Sequence, residues 1–388
     1  MTSSHIIETL AAWPQHDTLF VAFELGKARW KLGLAVPGGR LSRYTLEGGD
    51  AEEALRLIAK TRGKLERQLG RPAQVVSCYE AGYDGFWLHR WLVARGIDSR
   101  VLDPASIQVD RHKRRAKTDR LDLEQLVAAM MRHCWGDRFA CKVVHVPSPE
   151  QEDDRRPSRE RDRLVNERTQ HINRLKGLLH GQGVRDALPR AKQFCAWLGA
   201  VRTGDGRLLP GHLLAELERE HARLMLVEAQ IAEIENQAEA ARQAVPAGSV
   251  GAKINQLIEL KSLGPASSNT LAHEVFFRDF KNRRQVGSYF GMTGTPFDSA
   301  SRQREQGISK AGNARARSAA VELAWRWRRY QPGSALSRWF EARVGHHKGR
   351  IRRIAIVALA RKLMVALWRF LEHGVVPEGA ILRATSRA

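Results

Sequence analysis

The chain has 388 residues and carries 64 Lys plus Arg against 42 Asp plus Glu, a net charge of +22. A cationic surface of that size calls for a polyanion, above all nucleic acid, held by contacts that weaken as salt rises. The 43% of hydrophobic residues supplies real cores and excludes a wholly disordered chain, and the length predicts two or three domains. The four cysteines (Cys78, Cys134, Cys141, Cys195) include no CxxC pair, and although His133 stands beside Cys134, no second ligand pair follows at zinc spacing. They read as inert thiols of a reducing cytosol. The opening MTSSHIIETLAAWPQHD lacks the basic start of a signal peptide, and the apolar run 351–371 is broken by Arg352, Arg353, Arg361, Lys362 and Arg369. The expected location is therefore the cytoplasm, at the nucleoid when DNA is bound, with no membrane partner.

In chain order, residues 18–26 (TLFVAFELG) and 29–36 (RWKLGLAV) predict paired strands, and 41–46 predict a third. Residues 51–69 place Leu55, Leu57, Ile58 and Leu65 on a helical pattern, 73–79 (AQVVSCY) suit a buried strand, 84–94 predict a helix and 99–102 a strand. The stretch KTDRLDLEQ (117–125) then opens a helix with Leu121, Leu123, Leu126, Val127, Met130 and Met131 as its apolar stripe. The order βββαβαβα is that of the ribonuclease-H-like fold, so residues 1–145 are expected to form an α/β domain of that class.

In that fold acidic residues stand at the end of the first strand, at the end of the fourth and on the last helix. Here those places hold Glu24, Glu80, and Asp119 with Asp122. The two aspartates are three residues apart, on one helical face with Cβ atoms roughly 5–6 Å apart. Helix capping and dipole compensation would by themselves also place acids in a first turn. Four convergent carboxylates repel one another unless a cation holds them, and hard divalent ions such as Mg²⁺ or Mn²⁺ take oxygen donors of this kind. Two such ions about 4 Å apart can stabilise the attacking and leaving oxygens of phosphodiester chemistry together. Just upstream, QVDRHKRRAK (108–117) supplies Arg111, Lys113, Arg114, Arg115 and Lys117, a basic loop suited to phosphate contact.

VPSPEQEDDRRPSRERDR (146–163) has three prolines and dense mixed charge, which predicts a linker running into a helix over 164–179. A second helix over 212–243 spaces Leu217, Leu224 and Ile231 seven residues apart, so 146–250 predict a coiled-coil hairpin, a spacer able to self-associate. INQLIELKSLGPASSNTLAHEV (254–275) resembles a helix-hairpin-helix, with Ser262 where the first hairpin glycine would stand. VGSYFGMTGTPFDSASRQREQGISKAGNARAR (286–317) predicts a Gly/Thr/Ser-rich loop holding Ser299 and Ser301, then Arg302, Arg304, Lys310, Asn313, Arg315 and Arg317. Small residues let backbone approach a phosphate and a serine hydroxyl there can attack it, although loop serine is in general a turn residue. LAWRWRRY (323–330) pairs core tryptophans with arginines, and HHKGRIRR (346–353) opens a last amphipathic helix near nucleic acid. Residues 251–388 thus predict a mostly helical C-terminal domain.

The acidic set Glu24, Glu80 and KTDRLD, followed at long distance by GMTGTPFDSAS and REQGISKAGN, resembles the DEDD-type insertion-sequence transposases, which are bridge-RNA-guided DNA recombinases. The resemblance runs from about residue 18 to about residue 374. It implies a Holliday-junction-resolvase-like metal domain and a C-terminal domain whose serine links covalently to DNA. Carried over by position, the acidic residues are Glu24, Glu80, Asp119 and Asp122, with Ser299 as nucleophile. It further implies Mg²⁺ or Mn²⁺, donor and target DNA, a guide RNA, and a homo-oligomer, dimer or tetramer. Two positions depart from the family: Glu24 replaces an aspartate, and Ala300 replaces the glycine after the serine. The same residues also fit a metal-dependent junction endonuclease in which Ser299 is structural, or a nucleic-acid-binding derivative of an inactivated copy.

Overall fold

The computed structural model describes residues 17–107, residues 119–299 apart from 244 and 247, and residues 302–383. The chain divides into two compact units, Met1–Pro147 and Ser148–Ala388.

The first unit runs β1 (Thr18–Leu25), β2 (Arg29–Ala35), β3 (Ser42–Glu47), α1 (Ala51–Leu69), β4 (Gln74–Glu80), α2 (Trp87–Val93), β5 (Asp98–Leu102) and α3 (Asp119–Cys134). This is the predicted order. The strands make one sheet in the order β3-β2-β1-β4-β5, antiparallel across β3, β2 and β1 and parallel from β1 through β4 to β5. The mixed α/β unit with five strands is compatible with a ribonuclease-H-like DEDD fold. Because β1 is central and covered on both faces, its sequence is nearly continuously apolar rather than alternating.

Side chains two apart share a face. Leu19, Val21 and Phe23 therefore join Ala54, Ile58, Leu88 and Leu92 beneath α1 and α2, while Phe20 and Ala22 join Leu123, Leu126, Val127 and Met130 of α3. Each such fully buried large side chain contributes about 1.5–3 kcal/mol. Asp50 caps α1 by accepting from the Glu53 amide at 2.9 Å, and Gly70 ends it in the left-handed region. The helix expected over 84–94 begins only at Trp87, because Gly85 holds a turn at φ +67.

The second unit is mostly helical: α4 (Pro149–Asp153), α5 (Arg156–His180), α6 (Phe194–Ala200), α7 (Gly211–Arg242), α8 (Val250–Ile258), α9 (Pro265–Leu271), a π-helical turn (Ala272–Phe276), α10 (Arg283–Tyr289), a hairpin of β6 (Gly294–Ser299) and β7 (Arg302–Ile308), then α11 (Ala314–Tyr330), α12 (Ala335–Val344) and α13 (Arg350–His373). The long helices α5 and α7 pair antiparallel. Leu175 and Leu179 late in α5 meet Leu217 and Leu224 early in α7, while Leu164 meets Val227 and Ile231. Helices α8 to α13 enclose a core around Leu257, Phe276, Phe290, Trp327, Leu363 and Leu367. The indole of Trp327 donates to Ser334 Oγ at 2.9 Å, so its buried N–H is satisfied.

One expectation over 286–317 is corrected. That stretch reads as a loop, yet Gly294–Ser299 and Arg302–Ile308 pair as antiparallel strands in which Ser299 faces Arg302 and Gly294 faces Ile308. Its strands, GTPFDS and RQREQGI, lack the apolar alternation that marks a strand resting on a core. Among the described residues, no helix is long and apolar enough to cross a membrane.

Candidate functional site

In the first unit Phe23 of β1 pairs in register with Tyr79 of β4, so Glu24 and Glu80 are each the next residue on adjacent parallel strands. Neighbouring strands lie about 4.8 Å apart. By the two-residue period Glu24 follows Phe20 and Ala22, and Glu80 follows Val76 and Cys78, all of which face α3. Both glutamates therefore end their strands on the face that α3 covers. The direction of α3 follows from three contacts. Trp135, just past its C-terminus, meets the ring of Phe20 with centroids 6.0 Å apart. Cys78 Sγ lies 3.8 Å from the Leu126 carbonyl oxygen. Leu123 covers Gly33 of β2, where a Cβ would stand 3.6 Å from it. The helix thus runs against β1 and β4, and its first turn, Asp119 to Asp122, lies at the end of the sheet where Glu24 and Glu80 stand.

Asp122 is half-buried; the side chain of Asp119 lies outside the described residues. Among the described residues, no three Asp, Glu, His or Cys side chains form a group able to hold a metal ion. The basic loop with Arg111, Lys113, Arg114, Arg115 and Lys117 also lies outside them. One residue at this end carried no sequence signal. Lys31 of β2 is in register with Glu24 on the same face, its Nζ donating to Thr45 Oγ1 at 3.0 Å, and only strand register reveals that proximity.

In the second unit Ser299 ends β6, next to residues 300 and 301, which lie outside the described residues, as do the side chains of Ser299, Arg302 and Arg304. The hairpin is held at its root by GISKAGN. The Ser309 amide donates to the Thr293 carbonyl at 2.8 Å, the Lys310 amide to that of Gly291 at 3.0 Å and the Asn313 amide to that of Tyr289 at 2.9 Å. The approach is so close that a Cβ on Gly312, at φ +146, would stand 2.5 Å from the Tyr289 carbonyl oxygen, and one on Gly291, at φ +61, 2.8 Å from that of Ala311. Lys310 itself is exposed and adopts φ +56. These glycines are there because backbone packs on backbone.

Asn313 and Arg315, expected at nucleic acid, are engaged within the unit. Asn313 caps α11 by accepting from the Ala316 amide at 3.0 Å and donates to Tyr289 Oη at 3.1 Å and Glu274 Oε2 at 3.3 Å. Arg315 donates to the Ser158 carbonyl at 2.9 Å and to Asp162 at 2.5 Å. The hub of this network is Glu274, 1% exposed, in the π-helical turn. Arg159 grips its two oxygens at 2.7 and 3.1 Å, and Arg315 Nε stands 3.4 Å away. Burial pushes the Glu274 carboxyl up, but the hydrogen bonds and charge of Arg159, with Asn313 and Arg315, outweigh it and hold the group below its ordinary range. Nothing in the sequence marks Glu274, since its partners are far away along the chain.

The chain matches two family models, one described as Transposase IS116/IS110/IS902 family over residues 254–338 and one described as the DEDD transposase of IS110 type over residues 41–182. It is 44% identical over 374 residues to a protein of Sinorhizobium fredii described as transposase y4rJ, covering 94% of each chain. It is 29% identical to a family 20 transposase of Pseudomonas aeruginosa, over 79% of this chain and 86% of that one. To the transposase for insertion sequence element IS1111A of Coxiella burnetii it is 25% identical, over 73% of this chain and 74% of that one. A strongly cationic chain with a DEDD-type α/β unit and a helical C-terminal unit, alike along nearly its whole length to such a relative, belongs to the IS110/IS116 family of DEDD transposases, enzymes that bind DNA and catalyse its cleavage and strand transfer.

Proposed function

We propose that this transposase cuts and rejoins DNA with Ser299 as nucleophile, directed by a structured guide RNA, and that Glu24, Glu80, Asp119 and Asp122 hold Mg²⁺ or Mn²⁺ for the reaction. The observation that carries the reading is the placement of Glu24 and Glu80 on adjacent strand ends beneath the first turn of α3. An all-carboxylate donor set suits a hard divalent cation, and DEDD transposases typically depend on a divalent metal. When bound, the ion neutralises charge at the reacting phosphate.

The serine step balances as a transesterification. The Ser299 Oγ–P bond forms, the bond from phosphorus to one deoxyribose oxygen breaks, and the serine proton ends on that oxygen. Rejoining reverses the step, with the deoxyribose hydroxyl of the exchanged strand as the attacking group. Arg302 and Arg304 on β7 and the basic loop Arg111, Lys113, Arg114, Arg115 and Lys117 contact phosphates, with exposed Lys310 at the hairpin root. The paired helices α5 and α7, read as a coiled coil, provide the surface through which a dimer or tetramer holds donor and target DNA.

The test incubates the protein and its co-purifying RNA with labelled DNA and resolves the products under denaturing conditions. A protein-linked DNA species is expected from the natural sequence and from Ser301→Ala, and none from Ser299→Ala. Asp119→Asn and Asp122→Asn are expected to abolish strand exchange while retaining DNA binding. An adduct that persists in Ser299→Ala refutes the serine assignment. Metal-dependent nicking that never yields an adduct establishes instead a junction endonuclease in which the carboxylates do the cutting.

A further inference from the structure

Several surface arginines of the second unit pair with acids. Arg326 pairs with Glu322, Arg328 with Glu341 at 2.5 Å and Arg338 with Glu378 at 3.8 Å. The segment joining α12 to α13 departs from this pattern. Arg343, Lys348, Arg350, Arg352 and Arg353 have no carboxylate within ion-pair distance among the described residues. Residues 345–354 are all exposed, including Ile351 at 43% and Ile354 at 58%. The guanidinium of Arg352 lies 5.1 Å from the Trp325 ring centroid, which ties one side of the segment to α11. Burial of α13 begins only at Ala355 and Ile356. Five residues at 3.6 per turn make more than one full turn, so every residue in the first turn of this 24-residue helix is exposed, with Arg352 alone turned to a neighbouring ring.

We propose that the first turn of α13 enters the major groove of duplex DNA, with Arg350, Arg353 and Lys348 on the phosphates that flank the groove and Ile351 and Ile354 against base methyl groups. Charge names the class of partner, because four cations within residues 348–354 with no acid among them neutralise phosphates at a net gain from released counterions. Shape selects the duplex. A helix about 10–12 Å across fits the B-form major groove of about 12 Å, whereas the A-form major groove of double-stranded RNA is too deep and narrow for side chains to read. Exposed isoleucines interleaved with arginines suit a groove floor that carries thymine methyl groups. The contact is separate from the serine and carboxylate chemistry and stands whether or not Ser299 is the nucleophile.

The experiment measures binding of nucleic-acid-free protein to a short labelled DNA duplex as a function of salt, for the natural sequence and for Arg350→Gln with Arg353→Gln. With about 0.9 counterions released per phosphate contact, the slope of log K against log salt falls by about 1.8, and affinity at 0.15 M salt drops about 30-fold. Protection of guanine N7, a major-groove atom, from methylation is lost in the same variant. Both residues are exposed and unpaired with acids, so the circular dichroism spectrum is expected to be unchanged. The control Lys60→Gln with Lys64→Gln, on the exposed side of α1, leaves slope and protection intact. Parallel arms use duplex RNA of the same sequence and vesicles of mixed phosphatidylcholine and phosphatidylserine. An unchanged slope on duplex DNA, an equal loss in the control, retained N7 protection, or a loss confined to the RNA or vesicle arm each overturns the proposal.

Discussion

Removing Arg159 strips two charge-assisted hydrogen bonds, at 2.7 and 3.1 Å, from a carboxylate that is 1% exposed. A hydrogen bond to a charged group nets about 1.5–3 kcal/mol, and breaking a buried pair from one side costs about 3–5 kcal/mol. The figure here belongs near the low end. Arg159 is itself 48% exposed, and Glu274 keeps Arg315 at 3.4 Å and Asn313 at 3.3 Å. Arg159→Met is therefore expected to destabilise the second unit by about 2–3 kcal/mol. Adding Glu274→Met removes the stranded charge and recovers part of that loss, so the double variant falls short of the sum of the singles by about 1.5–2 kcal/mol. Urea unfolding followed by helical circular dichroism measures all three. Additivity within about 0.5 kcal/mol, or a loss below about 0.5 kcal/mol for Arg159→Met, would refute the assignment of Glu274 as the hub.

Two further outcomes are expected from the same region. Burial holds the His273 imidazole below its usual 6.5, and Glu274 lies below its usual 4.5. In both cases the unfolded chain binds the proton more readily, so their joint contribution is complete above pH 6.5 and is lost as pH falls, first through His273 and then, below 4.5, through Glu274. The urea midpoint should decline from pH 7 towards pH 5.5, and His273→Gln should flatten that limb; equal declines in both proteins would exclude His273. Gly312→Ala forces a Cβ to 2.5 Å from a backbone oxygen at φ +146 and should lower stability by about 3 kcal/mol or more. Gly264→Ala, with open space around its Cβ, should stay within about 0.5 kcal/mol in the same melts.

The α/β unit was legible because its signals are local. A buried central strand shows as TLFVAFEL, a helix as Leu55 to Leu65, and each boundary sits on a turn residue. The pairing of α5 with α7 was legible for the same reason, since Leu217 and Leu224 repeat within one helix. The β6–β7 hairpin was not, because RQREQGI shows no apolar period of two. The Glu274 network was beyond reach, since Arg159 stands 115 residues away and Asn313 39 residues away. The intramolecular partners of Asn313 and Arg315 were equally out of reach, since Glu274 and Asp162 stand far from them along the chain.

The backbone contact between Gly291 and the Lys310–Gly312 turn also decides where this part of the chain can bend. With no side chain between the two loops, and with Asn313 both capping α11 and reaching Glu274, the root of the hairpin moves as a piece of α11. Compliance lies further out, at the bulge where the pairing slips between Gly294 and Pro296, close to Gly307 at φ +93. The hairpin therefore meets its fixed base through that one irregular step, and a substrate pressing on its strands would bend it there while the base keeps its angle to α11.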